Sequence, residues 1–173
     1  MPKVPAPAVA ALGVSRGSAG DRFAGGEPAS VIRDRADLLS GVPLFEGLSR
    51  RHLRRLAKLA TEMNAAPGSV IVQAGRPGKA FHVIVDGQAK VVRGVASSGR
   101  KVAELRPGDF FGELALLDGG PRTASVVAET RVETIKLSRT AFRQMLSAEP
   151  EVAMRILERM ASVVRRESAP PTE

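Results

Sequence analysis

Short runs rich in β-branched residues, separated by turns that contain glycine, fill the middle of this chain. Between Ser69 and Leu137 they read VIVQ, FHVIV, AKVV, KVAEL, ASVVA and VETIKL. β-Branched side chains favour extended backbone, and glycine allows the tight turns between neighbouring strands. Regularly spaced short strands of this kind are typical of a barrel or a roll. The sequence therefore predicts a small barrel or roll at the centre of the fold.

Helical patterns lie on both sides of this predicted roll. A short helix is expected from Val31 to about Leu39, and a second from Ser49 to Met63 with Ser49 as its N-cap. After the roll, Ser138 can cap a helix through Leu146, and Pro150 opens a last helix that runs to about Glu167. The expected class is therefore mainly β with flanking helices, an α+β fold with N-terminal and C-terminal helices.

The last predicted helix carries one apolar stripe. Val152, Ile156, Met160 and Val163 repeat at spacings of four, four and three residues, which places them on one helical face. We expect this face to pack on the chain's own roll. A homodimer seam along the same helix is the alternative that the sequence leaves open.

The helix predicted from Ser49 to Met63 carries a basic stripe. At about 100° per residue its cations fall within an arc of about 140°; they are Arg50, Arg51, Arg54, Arg55 and Lys58. The stripe is either a solvated face over buried leucines or a surface for an acidic protein, nucleic acid or a membrane. The chain has a formal net charge of +8 but no Trp or Tyr, and no aromatic residue lies among these cations to stack on bases. Nucleic acid is therefore the less favoured partner.

Length and composition indicate one domain with a tail. At 173 residues and 43% hydrophobic content, the chain can bury one core. Residues 1–30 are rich in Pro, Gly, Ala and Ser, so we expect a disordered tail, then a domain over 31–168 and a disordered C-terminus at 169–173. No apolar run approaches the roughly 18 residues of a membrane span, and Pro7 interrupts the alanine-rich N-terminal stretch, so neither a transmembrane helix nor a signal peptide is expected. The absence of cysteine excludes disulfides, thiolate metal sites and cysteine nucleophiles.

One segment, FGELALLDGGPRTASV from Phe111 to Val126, combines the groups that capture a phosphorylated sugar. Gly112 lets the backbone approach a ligand closely, and the apolar run that starts at Leu114 can form a short helix with free N–H groups. Arg122, nine residues after Glu113, has a planar guanidinium that can grip two phosphate oxygens. Glu113, when ionised, accepts hydrogen bonds from a sugar hydroxyl. The acid and the arginine therefore suit the two halves of a nucleotide.

This segment and its surroundings resemble the cyclic-nucleotide-binding domain family, from about Val42 to about Arg166. The resemblance implies that the barrel or roll is an antiparallel β-roll, a double-stranded β-helix or jelly roll. GVPLFEGLS resembles the family's opening helix-turn, APGSVIVQAGRPG its first strand and glycine turn, FHVIVDGQAKVV its central hairpin, and LRPGDFFGE the lead into its phosphate-binding cassette. By that resemblance, Glu113 takes the ribose 2′-hydroxyl and Arg122 the cyclic phosphate. The remaining oxygens fall to backbone amides near this pair, and the site includes Phe111, Gly112, Leu114, Ala115, Thr123 and Ala124.

Several residues near the cassette have two interpretations each. Ala103 and Leu105 alternate on one strand face, and they either line a base pocket or belong to the core. The Thr123 hydroxyl either contacts a guanine amino group or a phosphate oxygen, or it satisfies local backbone; cAMP is favoured over cGMP as the ligand. Asp109 and Asp118 are expected to be turn residues.

The residue that would cover the base is not identified by the sequence. The family often closes its pocket with a residue of the last helix. The residues near that point are Arg165, Arg166, Glu167 and Ser168, none of which is aromatic.

No catalytic pattern accompanies the cassette. His52 and His82 are 30 residues apart and neither has a second ligand at metal spacing, which argues against a metal-dependent cupin, the main enzyme alternative for a small β-roll. A Gly-x-Ser-x-Gly elbow, paired catalytic carboxylates and a Walker loop are also missing. We therefore expect no enzyme activity, no metal and no cofactor apart from the nucleotide ligand.

The predicted function is a cytoplasmic cyclic nucleotide sensor. The ligand would bridge Glu113 and Arg122, tighten the cassette and repack the last helix, which would signal to a protein partner. The alternative is a cAMP-responsive DNA-binding regulator without a standard helix-turn-helix. Such a motif needs on the order of 60 further residues, and only Ala169 to Glu173 follow the last predicted helix.

Overall fold

Two antiparallel sheets form the centre of the protein. The computed structural model describes Val14–Ser15 and residues 28–167. Its strands are β1 (Val14–Ser15), β2 (Thr61–Ala65), β3 (Val70–Val72), β4 (Ala80–Asp86), β5 (Ala89–Arg93), β6 (Arg100–Leu105), β7 (Phe110–Phe111), β8 (Ser125–Ala128) and β9 (Val132–Ser138). One sheet has the order β1-β7-β4-β9-β2 and the other β3-β8-β5-β6. The predicted antiparallel β-roll is confirmed.

Helices flank the roll on both sides in sequence, as predicted. Before it come α1 (Pro28–Ser40), a 3₁₀ turn (Pro43–Phe45) and α2 (Arg50–Leu59), and after it come α4 (Arg139–Ala148) and α5 (Pro150–Glu167). A short helix, α3 (Glu113–Leu117), lies within the roll between β7 and β8. Both predicted N-caps form, since the Ser49 and Ser138 hydroxyls accept the backbone N–H groups of His52 and Ala141, each at 3.2 Å.

The prediction that the second helix runs to Met63 was wrong. The helix ends at Leu59, and Thr61–Ala65 forms strand β2 against β9, with Thr61 opposite Lys136. A ladder with a strand about 70 residues later in the chain replaces helical hydrogen bonds here, which is tertiary context overriding local propensity.

The predicted boundary at residue 30 falls within α1, which begins at Pro28. Within the predicted tail, Val14–Ser15 pairs with Phe110–Phe111. The other residues before Pro28 and those after Glu167 lie outside the described residues, so the tail and the C-terminal boundary stay predictions.

Apolar side chains collect in two clusters. The larger one lies between the helices and the first sheet and contains Phe45, Phe81, Phe110 and Phe142, with the rings of Phe45 and Phe81 in edge contact at 5.8 Å between centroids. The second cluster lies inside the roll. Val152 and Ile156 of α5 are buried in the larger cluster and Met160 packs against it. The predicted stripe therefore faces the chain's own core at these three positions; the side chain of Val163 lies outside the described ones.

The basic stripe of α2 is partly engaged within the protein. Arg50 pairs with Asp37, and Arg55 pairs with Glu149. The imidazole Nε2 of His52 lies 2.8 Å from the second carboxylate oxygen of Glu149. The Asp37 contact fastens α2 to α1, and the Glu149 contacts fasten it to the residue that joins α4 and α5.

Candidate functional site

The backbone at Gly112 brings the cassette close to the sheet. Gly112 follows β7 and is the N-cap of α3, with φ at 82°. A Cβ added there would lie 2.1 Å from Nη1 of Arg122 and 2.9 Å from the Ala80 carbonyl oxygen. Position 112 therefore needs glycine both for its dihedral angles and for this close approach.

The Arg122 guanidinium is half satisfied. Nη2 donates to the Ala80 carbonyl at 2.5 Å, while Nη1 is buried without a hydrogen-bond partner in the described part of the chain. The backbone of Arg122 is fixed by its N–H donating to Arg76 and its carbonyl accepting from Gly75, each at 2.8 Å. Burial lowers the pKa of Arg122, which fits a cation that lacks a counter-ion.

A cleft with an empty volume of about 610 Å³, its open mouth included, lies beside Nη1. Seven of the predicted site residues line it: Phe111, Gly112, Leu114, Ala115, Arg122, Thr123 and Ala124. Sequence reasoning missed the other lining residues, which are Val72, Val91, Asp118, Gly120, Pro121 and Val126. The three valines come from β3, β5 and β8 and give the cleft an apolar wall.

Three predicted site residues do not belong to this lining. Leu105 is fully buried in the core cluster inside the roll and Ala103 packs against that cluster, so their positions fit the core interpretation. Glu113 begins α3 and lies beside the lining rather than in it.

The Glu113 carboxyl, like the Arg122 guanidinium, has a buried atom without a hydrogen-bond partner in the described part of the chain. Its Oε2 is buried and has no hydrogen-bond partner among the described residues. Burial raises the pKa of Glu113 to about 7, and Arg159 of α5 acts in the opposite direction. Near neutral pH this carboxyl is therefore poised between its two protonation states.

Arg159 links α5 to the opening turn of the domain. Its Nε donates to the Pro43 carbonyl at 2.9 Å, and its Nη2 lies 2.7 Å from Oε2 of Glu46. The charge of Arg159 also favours the ionised form of the Glu113 carboxyl, while its hydrogen bond and ion pair are to the opening turn.

His82 packs against Phe111, the residue that precedes Gly112 in the cassette. Its ring stacks on Phe111 with 4.9 Å between centroids and 9° between planes, and Nδ1 lies 3.3 Å from the Thr134 hydroxyl. Burial, with Arg122 and Lys136 nearby, lowers the pKa of His82 to about 3. The imidazole is thus neutral at ordinary pH, and sequence reasoning, which considered this histidine only as a metal ligand, missed the role.

The remaining predicted residues have clear positions. Oδ1 of Asp118 accepts the Gly120 N–H at 2.8 Å and Oδ2 of Asp109 accepts the Arg106 N–H at 2.8 Å, so both are turn residues as predicted. The Ala115 amide donates to the Gly112 carbonyl at 3.2 Å. Arg165 is exposed near the end of α5, and Ser168 lies outside the described residues.

Within residues 28–167 and Val14–Ser15, no group of three or more His, Cys, Asp or Glu side chains is placed to hold a metal ion. None of the helices in that part of the chain is both long enough and apolar enough to cross a bilayer.

The chain is similar in sequence to proteins that are named as regulatory subunits or transcriptional regulators. The chain is 37% identical over 117 residues to a cAMP-dependent protein kinase regulatory subunit of Aspergillus fumigatus, covering 68% of this chain and 28% of that protein. It is 30% identical over 132 residues to a CRP-like cAMP-activated global transcriptional regulator of Mycobacterium tuberculosis, covering 75% of this chain and 58% of that protein. The chain thus spans between about a quarter and three fifths of these two relatives.

A solved structure and a family model match the same region. The N-terminal domain of a transcriptional regulator from Streptomyces coelicolor A3(2) superposes with a TM-score of 0.71 at 30% identity, covering 79% of this chain and 99% of that one. Residues 62–149, which include the whole cassette, match the model of the cyclic nucleotide-binding domain. The chain belongs to the cyclic nucleotide-binding domain family.

Proposed function

We propose that this chain is a regulatory module that binds cAMP in preference to cGMP and passes the signal to a partner through its last helix. The observation that carries the proposal is the Arg122 guanidinium, with Nη2 on the Ala80 carbonyl and Nη1 buried without a hydrogen-bond partner among the residues that the structure describes. A buried cationic nitrogen without an acceptor is costly until an anion completes it. The adjacent cleft has an apolar wall, so a ligand with an anionic group and an aromatic body fits it.

The cyclic phosphate is assigned to Arg122. Nη1 would donate to one phosphate oxygen while Nη2 keeps the Ala80 carbonyl, which makes a strong charge-assisted bond at little cost in reorganisation. The amides near Gly112, Leu114, Ala115, Thr123 and Ala124 would serve the other oxygens. The Ala115 amide would share its proton with the Gly112 carbonyl, to which it donates at 3.2 Å.

The ribose is assigned to Glu113. A 2′-hydroxyl would supply the partner that Oε2 lacks, and an ionised carboxylate accepts such a bond more strongly than a neutral acid does. Binding would therefore shift Glu113 toward its ionised form.

The base would lie against the wall formed by Val72, Val91 and Val126. The preference for cAMP is supported by relatives whose names state cAMP dependence or cAMP activation. Thr123 is exposed in the lining, and its hydroxyl could serve a guanine amino group, so cGMP is the ligand to compare.

Signal transfer is assigned to α5 through Arg159. Arg159 binds the Pro43 carbonyl and the Glu46 carboxylate. A ligand that ionises Glu113 strengthens the attraction of Arg159 toward the cassette and weakens its hold on the 3₁₀ turn. The ligand thereby biases how α5 packs, which is a population shift between two dockings of one helix.

The output surface is assigned to the outer face of α5. Met154 and Leu157 are 57% and 61% exposed there, which suits a protein partner or a second copy of the chain. The regulatory relatives support a binding role rather than catalysis, and we place the protein in the cytoplasm with its nucleotide ligand.

The test is calorimetric titration of the full chain with cAMP, cGMP and 5′-AMP. We expect one cAMP per chain, weaker binding of cGMP, and much weaker binding of 5′-AMP, whose open phosphate differs in charge and shape. No binding of either cyclic nucleotide, or equal affinity for 5′-AMP, would reject the proposal.

A further inference from the structure

Arg139, the first residue of α4, lies under the cassette although it does not line the cleft. Its Nη2 donates to the carbonyl of Leu117, the last residue of α3, at 3.5 Å. A Cβ added to Gly119, where φ is 65°, would lie 2.9 Å from both Nε and Cζ of Arg139. The guanidinium therefore packs against the turn that leads from α3 toward Arg122.

Arg139 and Arg122 also hold two consecutive carbonyls of one short segment. The Arg139 N–H donates to the Lys79 carbonyl at 2.9 Å, and Nη2 of Arg122 donates to the Ala80 carbonyl at 2.5 Å. The same segment is tied to the cassette turn by the Gly78 N–H, which donates to the Gly120 carbonyl at 2.9 Å. The first residue of α4 and the Arg122 guanidinium therefore both bind the backbone of Lys79 and Ala80.

The placement of the Arg139 charge suits the end of a helix. Carbonyls in the last turn of a helix lack intrahelical partners, and a cation beside them is favourable. The Nε atom of Arg139 is buried with no hydrogen-bond partner among the described residues. A buried donor without an acceptor lowers the stability of the fold. A role in positioning the neighbouring turn therefore explains the burial of this side chain better than a contribution to global stability does.

We propose that Arg139 is a positioning residue of the ligand site. It fixes the end of α3 and the Gly119 turn in the position that lets Arg122 bind the ligand. It also joins this turn to α4 and, through α4, to α5. It contacts no ligand atom. The effect on nucleotide affinity rests on the proposed function, but the positioning of the turn does not.

The ligand-free test is amide exchange in Arg139→Ala and Arg139→Lys. Three amides report the turn: Asp118 donates to Leu114 and Gly119 to Ala115, each at 3.2 Å, and Gly120 donates to Oδ1 of Asp118 at 2.8 Å. In the alanine variant we expect exchange at these amides to rise about tenfold while the pairing of β4 with β9 keeps its protection. The lysine variant, which retains a donor and a charge, should restore part of the protection.

Arg143→Ala is the matched control, because Arg143 lies one turn later on α4 and is exposed. It should leave exchange of the turn unchanged. Unchanged exchange in Arg139→Ala, an equal rise across the whole roll, or the same effect from Arg143→Ala would overturn the proposal. If the alanine variant is too unstable to study, the lysine variant decides: it should show a smaller rise at the same three amides, and no rise there would overturn the proposal.

The second measurement is cAMP affinity in the same variants. A site that is no longer held in its binding geometry loses affinity, and we expect about tenfold weaker binding for Arg139→Ala and no change for Arg143→Ala. Faster exchange with unchanged cAMP affinity would overturn the positioning role. If the wild-type chain binds no cyclic nucleotide, the proposed function fails, while the exchange experiment still decides whether Arg139 holds the turn.

Discussion

Gly112 and the Arg122 guanidinium fit together so closely that a single added carbon at position 112 would lie 2.1 Å from Nη1. Position 112 lies on the turn between β7 and α3 and Arg122 on the loop before β8. The contact therefore sets the distance between the backbone of α3 and the nitrogen to which we assign the phosphate. Both halves of the candidate site depend on this one contact.

Replacing Gly112 with Ala should displace Arg122 and weaken cAMP binding by at least about tenfold. The matched control is Gly47→Ala, since Gly47 has φ at 86° but no atom within 4 Å of an added Cβ. Both variants bear the strain of a left-handed alanine, roughly 1 to 2 kcal/mol, which thermal unfolding measures. Only Gly112→Ala should lose affinity in calorimetry. Equal affinities for the two variants would show that the contact is irrelevant to binding.

The Glu113 carboxyl should make cAMP binding depend on pH. Its pKa is raised to about 7 by burial, so ligand-free protein near neutral pH must lose a proton to offer the ionised acceptor. We expect calorimetric affinity to rise between pH 6 and pH 8, with proton release detected in buffers of different ionisation enthalpy.

Glu113→Gln is the matched variant for that prediction. Its affinity should be flat with pH, and it should lose most of the wild-type preference for cAMP over 2′-deoxy-cAMP. A variant that keeps both the pH dependence and the preference would remove Glu113 from the site. The variant should also abolish a stability effect: a raised carboxyl pKa favours folding below pH 4.5, and this contribution is lost as pH rises to about 7.

His82 should account for part of the acid sensitivity of the fold. Its pKa is lowered from 6.5 to about 3, so below pH 6.5 the unfolded chain binds a proton that the folded protein does not. The stability contribution is complete above pH 6.5 and is lost as pH falls toward 3. From pH 7 to pH 5 the wild type should lose about 2 kcal/mol more than His82→Phe in urea unfolding.

Thr134→Val is the control for that experiment, since it removes the hydroxyl that lies 3.3 Å from the imidazole and keeps the histidine. It should lower stability by a similar amount at both pH values. A pH dependence in His82→Phe that matches the wild type would mean that the imidazole titrates normally in the folded protein.

The end of α5 should report ligand occupancy. With cAMP at saturation, amide exchange over residues 161–167 should slow more than over α2, because Arg159 couples α5 to the cassette while α2 is fastened to Glu149. Arg159→Gln should reduce that difference. Equal protection in both helices, or none in α5, would exclude α5 as the switch and leave the basic face of α2 as the output surface.

Local sequence was enough to predict the cassette but not its walls. Gly112, Glu113 and Arg122 lie within eleven consecutive residues, and the short helix and turn between them place Gly112 against the Arg122 guanidinium; the ligand roles of the three residues stay predictions. Val72 and Val91 reach the cleft from strands far away in the sequence, and nothing in their local pattern distinguishes them from core valines.

Long-range pairing explains the main errors of the sequence predictions. Thr61–Ala65 becomes a strand because β9 supplies its ladder, which no helix propensity could reveal. His82 appeared unremarkable as a metal ligand, yet the register of β4 with β7 places it opposite Phe111. Its role therefore depends on strand pairing rather than on any motif.

The most direct measurement of the central claim is the cAMP affinity of Arg122→Ala and Arg122→Lys beside the wild type. A charge-assisted contact contributes about 1.5 to 3 kcal/mol, and about 1.4 kcal/mol is a factor of ten. We predict that Arg122→Ala retains its fold but binds cAMP at least about tenfold more weakly. Arg122→Lys should also fail, because a compact ammonium does not supply the planar fork whose separate nitrogens reach the Ala80 carbonyl and a phosphate. Folded variants that both titrate like the wild type would contradict the assignment of the cyclic phosphate to Arg122.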